Sequence, residues 1–210
     1  MALKLTKSEY AFIILAAGES TRFGENKLLY KIDGRSIIKR VIDECSLEKF
    51  ATVVVVGHER EMIEEELRGE NVIFAINPDY KAGGMSSSIK IGVSSINPSR
   101  AYLITPGDMP YLQRWICEKI IDVYQKSRAK IVIPSFEGKG GHPILFDSSL
   151  REELLAVNEE TKGLKGILNR HADEILKFEI GTSRILIDID YKDDIKTRKP
   201  VDKALDSKTS

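Results

Sequence analysis

Apolar positions along this chain follow two rhythms. Short runs rich in Val, Ile, Phe and Tyr at residues 11–15, 51–56, 72–76, 101–105, 131–134, 143–146, 176–180 and 185–189 read as strands. The run at 51–56 is apolar at nearly every position, as expected of a strand buried on both faces of a parallel sheet. Between the runs, apolar residues recur three and four apart. Ile37, Ile38, Val41 and Ile42 mark a helix over 36–45, and Met62, Ile63 and Leu67 mark one over 59–68. Ile89, Val93 and Ile96 mark 86–96, while Leu112, Ile116, Ile120, Val123 and Tyr124 mark 112–127. Two more helices are expected over 148–157 and 163–171. Strand and helix alternate throughout, which predicts a single three-layer α/β/α domain around a mostly parallel sheet. That domain is expected to occupy residues 1–198. The charged segment 199–210, poor in large apolar side chains, is expected to fray.

Composition narrows the partners. A chain of 210 residues that is 42% hydrophobic has room for one sizeable core. Its 32 basic and 32 acidic residues cancel, so no global field draws in nucleic acid or a membrane surface, and any anion site has to be built locally. Cys45 and Cys117 stand alone within helical patterns and read as buried thiols. The first ten residues lack the apolar core of a signal peptide, and no apolar run approaches the ~18 residues that span a bilayer. A cytoplasmic location is the expectation.

The richest local signal is residues 15–29, LAAGESTRFGENKLL, directly after the first strand. Small residues and two glycines let the backbone approach a ligand closely, and Arg22 and Lys27 set cations beside its amides, a combination suited to a polyphosphate. Gly18 and Gly24 are spaced too widely for a Walker A loop, Lys27 comes too late, and GxGxxG is absent. Asp108, in the turn Pro106-Gly107-Asp108-Met109-Pro110, follows a hydrophobic strand, where open α/β sheets place ligands; taken alone it also suits a turn. Asp188 and Asp190 alternate with Ile187 and Ile189, on one face of an extended segment or the solvent side of an edge strand. Gly83-Gly84-Met85-Ser86-Ser87-Ser88 offers amides and hydroxyls at a helix start, for an anion, a polar base edge or simply a cap.

These segments resemble the MobA-like nucleotidyltransferases, and the LAAG opening is most similar to that of the molybdenum cofactor cytidylyltransferases. The resemblance runs through four ordered motifs from about Phe12 to Asp190. It implies a Rossmann-like, GT-A-like nucleotidyltransferase fold. It implies that Leu15, Ala16, Ala17, Gly18, Arg22 and Lys27 wrap a nucleoside triphosphate, joined by Pro106, Gly107, Gly84 and Ser86, Ser87 and Ser88. Asp108 then becomes a ligand for the Mg²⁺ that travels with the triphosphate, with Asp190, or else Asp188, as the second carboxylate; the family's Thr-Pro after this point is Tyr191-Lys192 here. Gly141, His142 and Pro143 match a G-H-P motif on the acceptor side, and Lys165 stands where the family has Arg. His58 and His171 carry no such match.

The implied reaction is transfer of CMP from CTP to the terminal phosphate of molybdopterin, with Arg22, Lys27 and Asp108 at the reacting phosphates. A recipient molybdoenzyme is an implied partner. Family members using GTP tend to carry LAGG, so Ala17 disfavours a guanylyltransferase on the same acceptor. A cytidylyltransferase for a sugar or polyol phosphate need not carry the 84–88 run or G-H-P. A non-catalytic nucleotide-binding module would be expected to lose Lys27 or Asp108.

Overall fold

The computed structural model describes residues 9–160 and 162–203. In chain order, β1 (Tyr10–Ala16) leads to the short hairpin of β2 (Lys31–Ile32) and β3 (Arg35–Ser36), then α1 (Ile37–Cys45) and β4 (Phe50–Val56). Next come α2 (Arg60–Glu66), β5 (Ile73–Ile76), α3 (Gly84–Ser94), β6 (Ala101–Pro106) and α4 (Arg114–Lys126). The remainder comprises β7 (Ile131–Phe136), β8 (Lys139–Gly140), β9 (Ile144–Asp147), α5 (Arg151–Ala156), α6 (Gly163–Arg170), β10 (Ile175–Glu179) and α7 (Asp194–Thr197).

The main sheet runs β10-β7-β9-β6-β1-β4-β5, with β8 folded onto β7. Along that path only β9 is reversed: it pairs antiparallel with β6 and with β7, and every other pairing is parallel. β1 lies inside the sheet, with Ile13 opposite Val53 on one side and Ile104 on the other. Because side chains alternate along a strand, the sheet fills two cores. Phe12, Ile14, Val54 and Leu103 meet Ile38, Val41, Ile116 and Ile120 from α1 and α4. Ala11, Ile13, Val53, Val55 and Tyr102 meet Ile89, Val93, Leu154 and Ile167 from α3, α5 and α6. This is the expected three-layer, mostly parallel arrangement. Gly92 lets α3 lie close to the sheet: a Cβ there would come within 2.5 Å of Ile13 Cγ2 and 3.0 Å of Val55 Cγ2.

Two expectations need correcting. The long helix begins at Arg114, not Leu112, which sits in the preceding turn with its N–H on Met109 O. Residues 185–189 form no strand. Thr182 caps a 3₁₀ turn, Ser183–Leu186, by accepting from Arg184 N, and the segment beyond is held by single bonds such as Ile189 N to Asp108 O at 3.0 Å. The alternation survives in burial, with Ile185, Ile187 and Ile189 inside. The segment expected to fray, 199–210, is described only as far as residue 203. Ser183 N donates to Val201 O at 2.9 Å, Lys203 N donates to Gly181 O at 2.7 Å, and Arg184 pairs with Asp202 at 3.0 Å. Polar pairs do the holding there. Residues 1–8 and 204–210 lie outside the described residues.

Candidate active site

β1, β4 and β6 end at one edge of the sheet. β1 is where the winding reverses, since β4 and β5 are added on one side before the chain returns to lay down β6 on the other. Ligands of open α/β sheets collect at such a point. A pocket of about 450 Å³ opens there.

The loop after β1 forms one wall. Gly107 N donates to Leu15 O at 2.9 Å and His58 N to Ala17 O at 3.1 Å, which ties the loop's start to two neighbouring strand ends. Farther on, Phe23 is buried edge-on against Tyr30, with ring centroids 5.3 Å apart. Asn26 then caps the 3₁₀ turn Lys27–Leu29 by accepting from Leu28 N at 3.1 Å. That turn aims Lys27 into the pocket.

Lys27 Nζ lies 2.6 Å from Asp108 and 2.9 Å from Asp190, and Arg22 reaches the other oxygen of Asp190 at 3.2 Å. Burial alone would lower the Lys27 ammonium, but the two carboxylates overcome it and hold the group above its usual range. Burial pushes the Asp108 carboxyl up, and Lys27 offsets that only in part. Asp190 is more open, and the hydrogen bond from Lys27 holds it below the usual carboxylate range. The other oxygen of Asp108, Oδ1, is buried and has no hydrogen-bond partner. A buried carboxylate oxygen without a donor is costly unless something positive meets it.

The opposite wall is the start of α3 with the turn before it. Gly57 permits close stacking here, since a Cβ on it would come within 2.8 Å of Tyr80 Cβ and 3.0 Å of Ala17 Cβ. Tyr80 lines the pocket and its ring lies 6.0 Å from that of His58. The Glu159 carboxylate accepts from Ser86 N at 3.0 Å, supplying an internal cap for α3. Such capping is the ordinary remedy for free N–H groups at a helix start.

Of the residues singled out in the sequence, the pocket lining unites Leu15, Ala16, Ala17, Gly18, Arg22, Lys27, Gly84, Ser88, Pro106, Asp108 and Asp190. Gly107 stands behind the wall. Ser86 and Ser87 lie on other faces of α3. Asp188 pairs with Arg198 at 2.7 Å, outside the lining, although its charge is felt at Asp108. His142 is half-buried with Nδ1 3.5 Å from Ile104 O; burial lowers its pKa, against the nearby charges of Asp108 and Asp188. Gly141 packs where a Cβ would strike Ile185 O at 2.3 Å, and the His142–Pro143 peptide is cis. Lys165 is exposed on α6 and does not line the pocket. Ser20, Thr21, Leu28, Tyr80 and Met85 complete the lining. Of these, Ser20, Thr21 and Leu28 fall within the 15–29 segment and Met85 within the 83–88 run, whereas Tyr80 lies outside both. No helix among the described residues is long and apolar enough to cross a membrane.

Residues 12–175 match the MobA-like NTP transferase domain. The chain is 30% identical over 192 residues to the molybdenum cofactor cytidylyltransferase of Escherichia coli K12, covering 89% of this chain and 94% of that protein. A probable molybdenum cofactor guanylyltransferase of Pyrococcus horikoshii is 32% identical, over 58% of this chain and 59% of its own. Among solved structures, Rv0371c from Mycobacterium tuberculosis H37Rv superposes with a TM-score of 0.74 at 18% identity, covering 92% of this chain and 98% of that one. A second structure of that protein, in complex with manganese, superposes at 0.66, covering 82% of this chain and 88% of that one.

Proposed function

The chain belongs to the MobA-like NTP transferase family, and on that premise we propose that it transfers CMP from CTP to the terminal phosphate of molybdopterin, releasing pyrophosphate. The observation that carries this reading is the half-buried Asp108–Lys27–Asp190 arrangement at the floor of a pocket walled by residues 15–18. For the substrates, the reading draws on the likeness to the cytidylyltransferase, which spans nearly both chains, and on Ala17. Its methyl group narrows the pocket beside the Ala16–Ala17 backbone, which favours the smaller pyrimidine ring.

In the proposed reaction an oxygen of the acceptor's phosphate monoester forms a bond to the α-phosphorus of CTP. The bond from that phosphorus to the bridging oxygen breaks, and the electron pair leaves with pyrophosphate. The monoester's second pKa is near ~6, so the nucleophile is largely dianionic at neutral pH without a general base. Arg22 and Lys27 neutralise charge on the transferring and leaving phosphates, and the loop amides hold the triphosphate in line. Removing either cation is expected to cost roughly 10²–10³ in rate. His142, whose neutral form is favoured by burial, would orient the acceptor.

The donor set suits a divalent ion. Asp108 offers an unpartnered buried oxygen and Asp190 a second carboxylate, few enough for Mg²⁺, which prefers one or two carboxylates plus phosphates and waters. Bound there, the ion would draw charge from the phosphate oxygens as a Lewis acid.

Pyrophosphate release across CTP, GTP, ATP and UTP, with molybdopterin or a sugar phosphate as acceptor, tests this directly. The expected result is turnover with CTP and molybdopterin, abolished in Asp108→Asn. Turnover with GTP alone would overturn the base assignment, and full activity of Asp108→Asn would overturn the carboxylate's role.

A further inference from the structure

Asn77 leaves β5 almost fully buried, at 1% exposure. Its side-chain oxygen accepts from Asp79 N at 3.0 Å. A backbone N–H can only donate, so the amide oxygen has to face Asp79 and Nδ2 has to face the other way. There it meets two hydroxyls, Ser87 Oγ at 2.8 Å and Ser88 Oγ at 2.9 Å. The amide nitrogen is likewise a donor only, so both serine oxygens act as acceptors in these bonds. Each hydroxyl must send its own proton elsewhere. Ser87 sends it to Gly84 O at 2.9 Å. Ser88 has no acceptor for its proton among the described residues, although it is buried and lines the pocket with Tyr80 and Ala17.

We infer that Asn77 is a positioning residue that turns Ser88 into a dedicated hydrogen-bond donor for the bound nucleotide. With Arg22 and Lys27 claiming the phosphates, the acceptor that meets Ser88 is a carbonyl oxygen, ring nitrogen or hydroxyl on the base or sugar. The inference rests on the nucleotide-binding reading above, but not on which base is bound. Nothing in Asn77 touches the ligand. Its effect is to fix the polarity of an atom that does.

A double-mutant cycle tests this, with dissociation constants for CTP and Mg²⁺ measured calorimetrically on the full chain. Asn77→Asp replaces the donor by an acceptor, so Ser88 turns its proton inward and shows the nucleotide a lone pair. Affinity is expected to fall about tenfold or more, the scale of one hydrogen bond turned to repulsion. Ser88→Ala alone is expected to lose roughly three- to tenfold, and Asn77→Asp in the Ser88→Ala background less than about twofold more. In turnover KM should rise while kcat holds, since the contact grips ground and transition states alike. Equal losses from Asn77→Asp in both backgrounds, or no loss at all, would overturn the inference. If Asn77→Asp does not fold, the Asn77→Ala and Ser88→Ala cycle decides: coupling supports the inference and additivity overturns it. Binding of GTP instead of CTP overturns only the base assignment, and the cycle is then read with GTP. A wild-type chain that binds no triphosphate overturns both readings.

Discussion

Lys27 is the side chain on which the site's electrostatics turn. Asp108 is deeply placed, with its ionised form opposed by burial and its main compensation coming from the ammonium 2.6 Å away. Replacing one member of such a pair strands the other, typically at ~3–5 kcal/mol when fully buried. Here each partner keeps a little solvent, so Lys27→Met is expected to cost about 3 kcal/mol by urea unfolding. Adding Asp108→Asn should recover most of that, because a neutral amide no longer needs a cation. If the double variant is as unstable as the single, the loss comes from packing and not from charge. Asp108, Lys27 and Arg22 were visible in the sequence because each stands at a fixed offset in a motif. The role of Asn77 was not, since the direction of its amide depends on where the backbone N–H of Asp79 falls after folding.

At the scale of elements, α3 matters most. It carries Gly84, Met85 and Ser88 into the pocket, and Gly92 sets how closely it rides on β1 and β4. Gly92→Ala would gain up to ~1 kcal/mol in helix propensity. Its methyl, however, would press on Ile13 and Val55, neither of which has a free end to yield, and overpacking of this kind costs about 1–3 kcal/mol. A net loss of stability is expected, together with weaker nucleotide binding as α3 is lifted. A more stable variant with unchanged affinity would show that α3 has slack. The longer strands and helices of the first 180 residues were legible because their apolar periods are clean, but the two-residue strands β2, β3 and β8 are too short to show a period. The period of residues 185–189 was equally clean, yet Gly181 and the Thr182 cap turn the chain into a 3₁₀ segment there, and period-two burial needs no ladder partner. Residues 201–203 escaped notice for the opposite reason, being held by backbone bonds and an Arg–Asp pair that hydropathy does not register.

For the whole molecule, binding and folding are linked through the pocket. A ligand that binds only the folded chain adds about 2.7 kcal/mol at a hundredfold excess over its dissociation constant. For a domain of this size that corresponds to roughly 5–10 °C in Tm. CTP with Mg²⁺ is expected to give a shift of this order, GTP a smaller one, and EDTA to remove most of it. A thermal scan in which EDTA leaves the CTP shift intact would argue against Asp108 and Asp190 as metal ligands. The balanced charge of the chain adds a corollary: with no global field, the rate of nucleotide capture should depend on salt only through the local cations.

The reversed strand β9 has a consequence for how such a site can be altered. In a wholly parallel sheet, a residue preceding a strand is delivered to the edge away from the ligand. Had β9 run with its neighbours, His142 would lie about 13 Å off, the length of a four-residue strand. Reversal makes the entrance of β9 neighbour to the exit of β6, with Ile144 beside Ile104. Opposite ends of two strands are thereby drawn into one rim. Lengthening the hairpin ahead of Pro143 would then disturb the proposed acceptor side, whereas the same insertion after Asp147 would fall on the far edge and go unfelt.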